Sequence, residues 1–125
     1  MPAEKYTYRP TNSVRSFGEQ IAHIGMSTQF ILKVFVKGEE LKFDPAETEK
    51  MEKQIGASKE ECIKSIEEAF DEVIATLGTM DDEALQNKFV YFFSPEKPDF
   101  PKEDGFISIR DHITHHRAQA IFIYV

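Results

Sequence analysis

The chain has 125 residues, of which 41% are hydrophobic and 30% charged, and this is the size and composition of one globular domain. We therefore treat residues 1–125 as a single domain. Its 15 basic and 22 acidic residues give a net charge of −7 at pH 7, which disfavours a nucleic-acid or anionic-membrane partner. No apolar run is long enough for a signal peptide or a membrane span, so we expect a cytoplasmic protein.

The first predicted element is a helix that begins near Ser13 or Ser16. Residues 1–12 are polar and aperiodic, and the sequence Ser16-Phe-Gly-Glu19 then has the form of a capping box. Apolar residues follow at three- and four-residue steps as far as Phe35, which is the signature of one buried helical face. Gly38 is the natural end of this helix.

Residues 38–57 are charged and are interrupted by proline and glycine, so we expect a surface connection with at most a short helix. A second capping box, Ser58-Lys-Glu-Glu61, begins the clearest helix of the chain, which ends at Gly78. Its apolar stripe includes Cys62, which we expect to pack in the core. As the single cysteine, Cys62 excludes an intramolecular disulfide and a zinc site built from cysteine pairs.

Prolines and a glycine interrupt residues 79–105 around the aromatic cluster 89–93, for which the pattern allows either a short strand or a loop. A third N-terminal signal, Ser108-Ile-Arg-Asp111, begins a helix that we extend to the end of the chain, although residues 121–125 favour a strand by propensity alone. The three long amphipathic helices, joined by long polar loops, predict an all-α domain.

The four histidines are the chemically distinctive residues. His112 and His116 are four residues apart, so on a helix their imidazoles lie within about 40° of each other and can bind one metal ion. His115 is turned away by about 100°, and His23 lies at the border of the buried face of the first helix. Two inward imidazoles need a shared partner, because unpaired buried polar groups are costly. That partner is either a metal ion or a carboxylate.

Two familiar metal-site patterns do not fit this chain. The histidine pair lacks the glutamate of the His-Glu-x-x-His metallopeptidases, so that activity is disfavoured. A di-iron carboxylate bundle needs paired Glu-x-x-His motifs, and Glu19 instead precedes His23 by four residues. Imidazoles suit zinc, nickel, copper and iron alike, so the residues leave the identity of the metal open.

Two segments resemble the DinB-like superfamily. The sequence YRPTNSVRSFGEQIAHI, from Tyr8 to Ile24, is similar to the family's stretch around its first histidine. The sequence HITHHRAQ, from His112 to Gln119, is similar to the family's stretch around a histidine pair, with Ala118 in place of the usual glycine. Both occur in the family's order, roughly 90 residues apart, and the resemblance covers nearly the whole chain.

The resemblance implies an up-and-down four-helix bundle, related to bacillithiol S-transferases and mycothiol-dependent maleylpyruvate isomerases. Such proteins bind a divalent metal ion through three histidines, which correspond to His23, His112 and His116 of this chain. We expect zinc or nickel, with iron as a further option. Compared with the family, the chain looks trimmed at both ends, so we expect a homodimer to cover the core that three helices leave open.

The resemblance favours a metal-dependent transferase or hydrolase-type enzyme that acts on a small molecule, with a low-molecular-weight thiol as the first candidate cosubstrate. Three imidazoles leave a metal position open for water or thiolate, as in catalytic rather than structural zinc sites. Glu19, one turn before His23, and Gln119, just after the pair, are candidate catalytic or supporting groups. The alternative is a non-catalytic, stress-associated binding bundle whose metal site is structural or vestigial.

Overall fold

The computed structural model describes residues 1–124, and helices predominate among them. The elements in chain order are a 3-10 turn (Ala3–Lys5), α1 (Phe17–Ile31), a π-helical turn (Leu32–Val36), α2 (Pro45–Gly56), α3 (Lys59–Gly78), α4 (Asp82–Gln86), the strands β1 (Lys88–Val90) and β2 (Asp99–Pro101), and α5 (Lys102–Tyr124). Within residues 1–124, the only sheet is the β1–β2 pair, which confirms the predicted all-α class.

Helix α1 begins where its capping box predicts. The Ser16 hydroxyl accepts a hydrogen bond from the Glu19 backbone N–H at 3.2 Å, and the Glu19 carboxylate accepts one from the Ser16 backbone at 2.7 Å. The helix continues into the π-helical turn and stops before Gly38, whose φ of +72° suits glycine. The capping box therefore fixes the phase of the helix, and with it the direction in which His23 points.

Helix α2 is longer than the sequence predicts, with 12 residues in a segment that we expected to be a surface connection. It begins at Pro45, behind Asp44, whose carboxylate accepts hydrogen bonds from two backbone N–H groups. Its buried residues are Glu52 and Gly56, so it has no apolar stripe that a sequence pattern could reveal. It is the fourth long helix of the bundle, which the expectation of three long helices missed.

Helices α1 and α2 cross at two glycines, Gly18 and Gly56. A Cβ on Gly18 would lie 1.9 Å from the Gly56 carbonyl oxygen, and one on Gly56 would lie 2.6 Å from the Glu19 nitrogen. Only glycine allows two backbones to approach this closely. The two helices are antiparallel, so that Glu52, one turn before Gly56, lies beside His23.

Helix α3 begins at its predicted cap, Ser58, and ends at Gly78. It packs against α1 through small residues, and Cys62 and Ala69 are fully buried there. The predicted apolar stripe is nevertheless only partly buried. Its exposed members are Ile63, Phe70, Ile74 and Leu77.

Residues 79–101 form the short helix α4 and an antiparallel hairpin. Phe89 of β1 lies opposite Phe100 of β2, so the aromatic cluster begins as a strand. The remaining aromatic residues of the cluster, Tyr91 to Phe93, follow the strand in the connection to β2. Both alternatives that the sequence left open are therefore present, one after the other.

Helix α5 begins at Lys102, earlier than the predicted start at Ser108. The Ser108 hydroxyl lies inside the helix and donates to the Asp104 carbonyl at 2.7 Å, so it does not cap the helix. The helix continues through residues 121–124, as predicted, although Ile123 is the only one of these four residues that is buried. Residue 125, which the prediction also included, lies outside the described residues.

Helix α1 is the centre of the bundle, since α2, α3 and α5 all pack against it, whereas α3 and α5 barely contact each other. The main core cluster is Leu32, Val36 and Ile109, where the end of α1 meets α5. Helix α5 runs antiparallel to α1, so its histidine pair lies level with His23. In the described part of the chain, no helix combines the length and the apolar character needed to cross a membrane.

Candidate metal centre

Helices α1 and α5 bring three histidines together. His23 comes from α1, and His112 and His116 come from consecutive turns of α5. The ring centroids are 5.3 Å apart for His23 and His112, 4.3 Å for His23 and His116, and 4.4 Å for His112 and His116. One ring nitrogen of each lies within 4.8 Å of the other two, so these residues can hold a metal ion.

Hydrogen bonds at Nδ1 orient two of the three imidazoles. The Nδ1 of His23 lies 2.5 Å from Oε1 of Glu52, and the Nδ1 of His116 lies 3.1 Å from Oε1 of Gln20. When Nδ1 of a neutral ring donates to such an oxygen, the unprotonated nitrogen is Nε2. Both rings therefore present the nitrogen that binds a metal ion, in the arrangement by which outer partners orient metal-ligating histidines.

The spacing of the nitrogens fits a common metal ion. The Nε2 atoms of His23 and His112 are 3.2 Å apart. Two nitrogens bound at 2.0–2.1 Å to a tetrahedral zinc ion are about 3.3 Å apart. The other separations stay within 4.8 Å, which a modest rotation of a ring closes. The residues present therefore fit a divalent ion with three imidazole ligands.

The carboxylate of Glu52 lies between His23 and Arg15. Arg15 donates to it from Nε at 2.7 Å and from a terminal nitrogen at 3.3 Å. Burial raises the pKa of the Glu52 carboxyl, but the hydrogen bonds from His23 and Arg15 outweigh burial and hold the pKa below its ordinary value. Glu52 is therefore ionised at neutral pH and places a fixed negative charge behind His23.

The pair on α5 is held in its neutral form. Burial lowers the pKa of His112 and of His116, and the neighbouring imidazoles lower both further. For His116, the pKa falls from 6.5 to about 4. Both rings are thus neutral at pH 7, which is the form that binds a metal ion through its unprotonated nitrogen.

The other polar residues that the sequence singled out lie around this cluster. His115 is exposed, as expected, and its Nε2 lies 3.0 Å from Nε2 of Gln119. Both carboxylate oxygens of Glu19 are engaged, one by Arg9 at 2.6 Å and the other by the Ser16 backbone. Glu19 therefore belongs to the cap of α1, whereas Gln119 lies at the wall of the cleft described below.

Cys62 packs in the core, as the sequence predicts. Its Sγ lies 3.5 Å from the Gly18 carbonyl oxygen and 3.4 Å from that of Ile55. Burial raises the pKa of the thiol to about 11, so it is protonated and unreactive at neutral pH.

Sequence reasoning missed the two residues that orient the histidines, Gln20 and Glu52. Gln20 had a usable signal, since it lies within the first motif and one turn before His23 on the same helix. Glu52 had none, because in a charged segment no pattern separates it from its exposed neighbours Glu47 and Glu49. Only the close crossing of α1 and α2 places its carboxylate beside His23.

A cleft of about 1060 Å³ opens next to His23, which is the one member of the histidine cluster that lines it, together with Glu52. Two exposed phenylalanines also line it, Phe43 from the segment before α2 and Phe122 from α5. A cleft of this volume can accommodate a small organic molecule next to a metal ion.

The fold and the histidine cluster together define a class, that of helical bundles with a three-histidine site suited to a divalent metal ion. The family model of the DinB superfamily matches residues 1–120, and the chain therefore belongs to the DinB superfamily. This match confirms the resemblance seen in the two motifs. Neither the search of curated proteins nor that of solved structures gave a match.

Proposed function

We propose that the protein binds a divalent metal ion and is a metal-dependent enzyme that transfers a low-molecular-weight thiol to a small electrophile. Hydrolysis of a small molecule is the second reaction that such a site supports. The observation that carries the proposal is the cluster of His23, His112 and His116, which lies beside an open cleft. We expect zinc or nickel, with iron as a further option.

A divalent ion held by the three imidazoles supplies Lewis acidity, which lowers the pKa of a bound thiol or water so that the nucleophile forms at neutral pH. The chain's own contribution is to position the ligands. Glu52 and Gln20 hold Nε2 of two rings toward the centre of the cluster. The ionised Glu52 also offsets the positive charge of an ion at this place.

In thiol transfer, the thiol would first release its proton to solvent water. The sulfur then forms a bond to an electrophilic carbon, and the bond from that carbon to its leaving group breaks, with the electron pair departing on the leaving group. The apolar rings of Phe43 and Phe122 line the cleft in which these reactants would meet. These rings offer apolar contact to the hydrocarbon part of a bound substrate. We expect this reaction to take place in the cytoplasm, where thiols are kept reduced.

One observation favours the alternative, a non-catalytic bundle with a structural metal site. The buried carboxylates near the histidines are both occupied, Glu19 by Arg9 and the cap of α1, and Glu52 by His23 and Arg15. A general acid or base needs a group that is free to exchange a proton with the substrate. The alternative predicts bound metal without turnover.

The test begins with elemental analysis of the chain purified without an affinity tag, for which we expect about one divalent ion per chain. The protein is then assayed with a panel of low-molecular-weight thiols and alkylating electrophiles, followed by loss of free thiol, and with ester substrates for hydrolysis. Turnover should fall on chelation and return on addition of the metal. Bound metal without turnover on any substrate supports the alternative with a structural metal site. Absence of metal contradicts the proposed enzyme and is what the alternative predicts for a vestigial site.

A further inference from the structure

Helix α3 presents large apolar side chains to solvent. The exposed fractions are 45% for Ile63, 36% for Phe70, 66% for Ile74 and 45% for Leu77. At about 100° per residue, these four side chains lie within about 60° of one another, so they form one stripe along the helix. A continuous apolar stripe of this kind is rare on the surface of a monomer and marks an interaction site.

The stripe lies on the α5 side of α3. Val73, which borders it, packs against the core cluster of Leu32, Val36 and Ile109, where the end of α1 meets α5. Since α3 and α5 barely contact each other, a groove of about 320 Å³ remains over α1, lined by Ile21 of α1 and by Ile121 and Tyr124 of α5. Ile121 and Tyr124 are both more than half exposed.

This groove opens away from the histidines. On α1, Ile21 and His23 are about 160° apart, so they point to opposite sides of the helix. His23 faces α2 and the metal cleft, whereas Ile21 faces the groove. We use the term α3–α5 face for this opposite side of the molecule. It consists of Ile63, Phe70, Ile74 and Leu77 of α3 and of Arg110, Arg117, Ile121 and Tyr124 of α5.

The two edges of the α3–α5 face carry opposite charges. Arg117 lines the groove, and Arg110 lies two turns away on the same side of α5; both are exposed. Arg110 forms an exposed ion pair with its neighbour Asp111 at 2.9 Å, which water screens and a partner's carboxylate can replace. On α3, Glu60 and Glu67 are exposed and lie within about 40° of Ile74, beyond the apolar stripe. The face therefore has an apolar centre, a basic edge on α5 and an acidic edge on α3.

We propose that the α3–α5 face binds a second copy of this chain in a two-fold dimer. The face carries both a basic edge and an acidic edge. In a two-fold dimer the same surface of each copy meets itself, so such an interface requires opposite charges on one face. A two-fold axis parallel to the helices lays α3 of one protomer over α5 of the other. The acidic edge of each protomer, with Glu60 and Glu67, then lies against the basic edge of the other, so this contact occurs twice in the dimer. The apolar stripe of each protomer packs over the groove of the other.

This dimer leaves the metal cleft of each protomer open on the outer side, so it does not depend on the proposed function. Sedimentation equilibrium of the 125-residue chain at tens of micromolar tests it, with an expected mass twice the 14.4 kDa of the monomer. Ile74→Lys should give a monomer. The matched control is Phe122→Lys, because Phe122 is 85% exposed but lines the metal cleft, and this variant should remain a dimer.

Charge reversal tests the orientation of the two copies. Replacing Arg110 and Arg117 by Glu should weaken dimerisation at least tenfold, and adding Glu60→Arg and Glu67→Arg to the same chain should restore it. Circular dichroism checks that each variant keeps its helix content. A monomeric wild type, a dimer that survives Ile74→Lys, an open-ended assembly or a failure of the reversed charges to restore binding would each overturn the proposal.

Discussion

At the scale of single residues, the metal hypothesis distinguishes three histidines from the fourth. Replacing His23, His112 or His116 by alanine should remove most of the bound metal, because each supplies one of three ligand nitrogens. His115→Ala should keep it, since His115 is exposed and lies against Gln119. Elemental analysis of the four variants measures the metal that each retains. An equal loss of metal in His115→Ala would contradict the assignment of the three ligands.

A second prediction concerns Gln20, which holds the ring of His116 through a 3.1 Å hydrogen bond. Gln20→Ala should weaken metal binding by about 10- to 100-fold without removing any ligand, because an unsupported ring rotates away from its binding direction. Competition titration with a chromophoric chelator measures the affinity. The matched control is Gln54→Ala, because Gln54 is an exposed glutamine of α2 outside the histidine cluster, and this variant should bind metal as tightly as the wild type. Equal weakening in both variants would argue against a specific role for Gln20.

The metal-free protein should lose stability as the pH falls from 6.5 to about 4. In this window the unfolded chain protonates its histidines, whereas burial holds the pKa of His116 in the folded state near 4. The unfolded state therefore binds more protons, and the free energy of unfolding falls by up to about 3 kcal/mol. Urea titrations between pH 7 and pH 4 measure this slope. The free energy of unfolding should depend less on pH in His116→Gln than in the wild type. An unchanged dependence would show that His116 does not cause the loss of stability.

The site could be predicted from sequence where residue type and spacing carry the chemistry. His112 and His116 were visible because four positions make one helical turn, and His23 because its motif is specific to a family. Glu52 was not, since its importance comes from a backbone approach between two glycines that no periodic pattern encodes. Glu19 was visible as the last residue of the capping box, but its ion pair with Arg9 was not, since no local pattern connects these two positions.

At the scale of helices, the crossing of α1 and α2 depends on Gly56. Gly56→Ala should destabilise the fold by about 1–3 kcal/mol, because the new Cβ would lie 2.6 Å from the Glu19 nitrogen and force the two backbones apart. The control is Gly78→Ala at the end of α3, where a Cβ meets nothing within 4 Å. This change should be neutral or stabilise by up to about 1 kcal/mol. Chemical unfolding measures the free energy of unfolding of both variants. Similar values for Gly56→Ala and Gly78→Ala would show that the crossing of α1 and α2 is not tightly packed.

Helix ends were predictable from their capping residues, whereas the burial of helix faces was not. Ser16 and Ser58 both cap the helices that they were expected to begin, because capping is a local hydrogen-bond property. On α3, however, small residues such as Cys62 and Ala69 face α1, and larger ones such as Ile74 face solvent. An apolar stripe shows that a face will be covered, but not whether the same chain or another copy covers it.

At the scale of the whole molecule, a metal bound between α1 and α5 would couple ligand binding to folding. Anything that binds only the folded state stabilises it by mass action, by about 4 kcal/mol at a free concentration 1,000 times the dissociation constant. Removing the ion with a chelator should therefore lower the melting temperature by several degrees. Differential scanning calorimetry measures the shift, for which His116→Ala is the control, since its melting temperature should not respond to chelator.

The distance along the chain between the ligands gives this coupling a further consequence. His23 and His112 are 89 positions apart, so an ion at their side chains would act as a reversible cross-link that closes most of the polypeptide into one loop. Without the ion, α5 is held by its packing, chiefly against α1 and the π-helical turn that follows it, and its separation from α1 would expose both to proteolysis. The lifetime of the protein in a cell would then depend on the concentration of available metal. When the metal is scarce, both the amount of the protein and its activity would decrease.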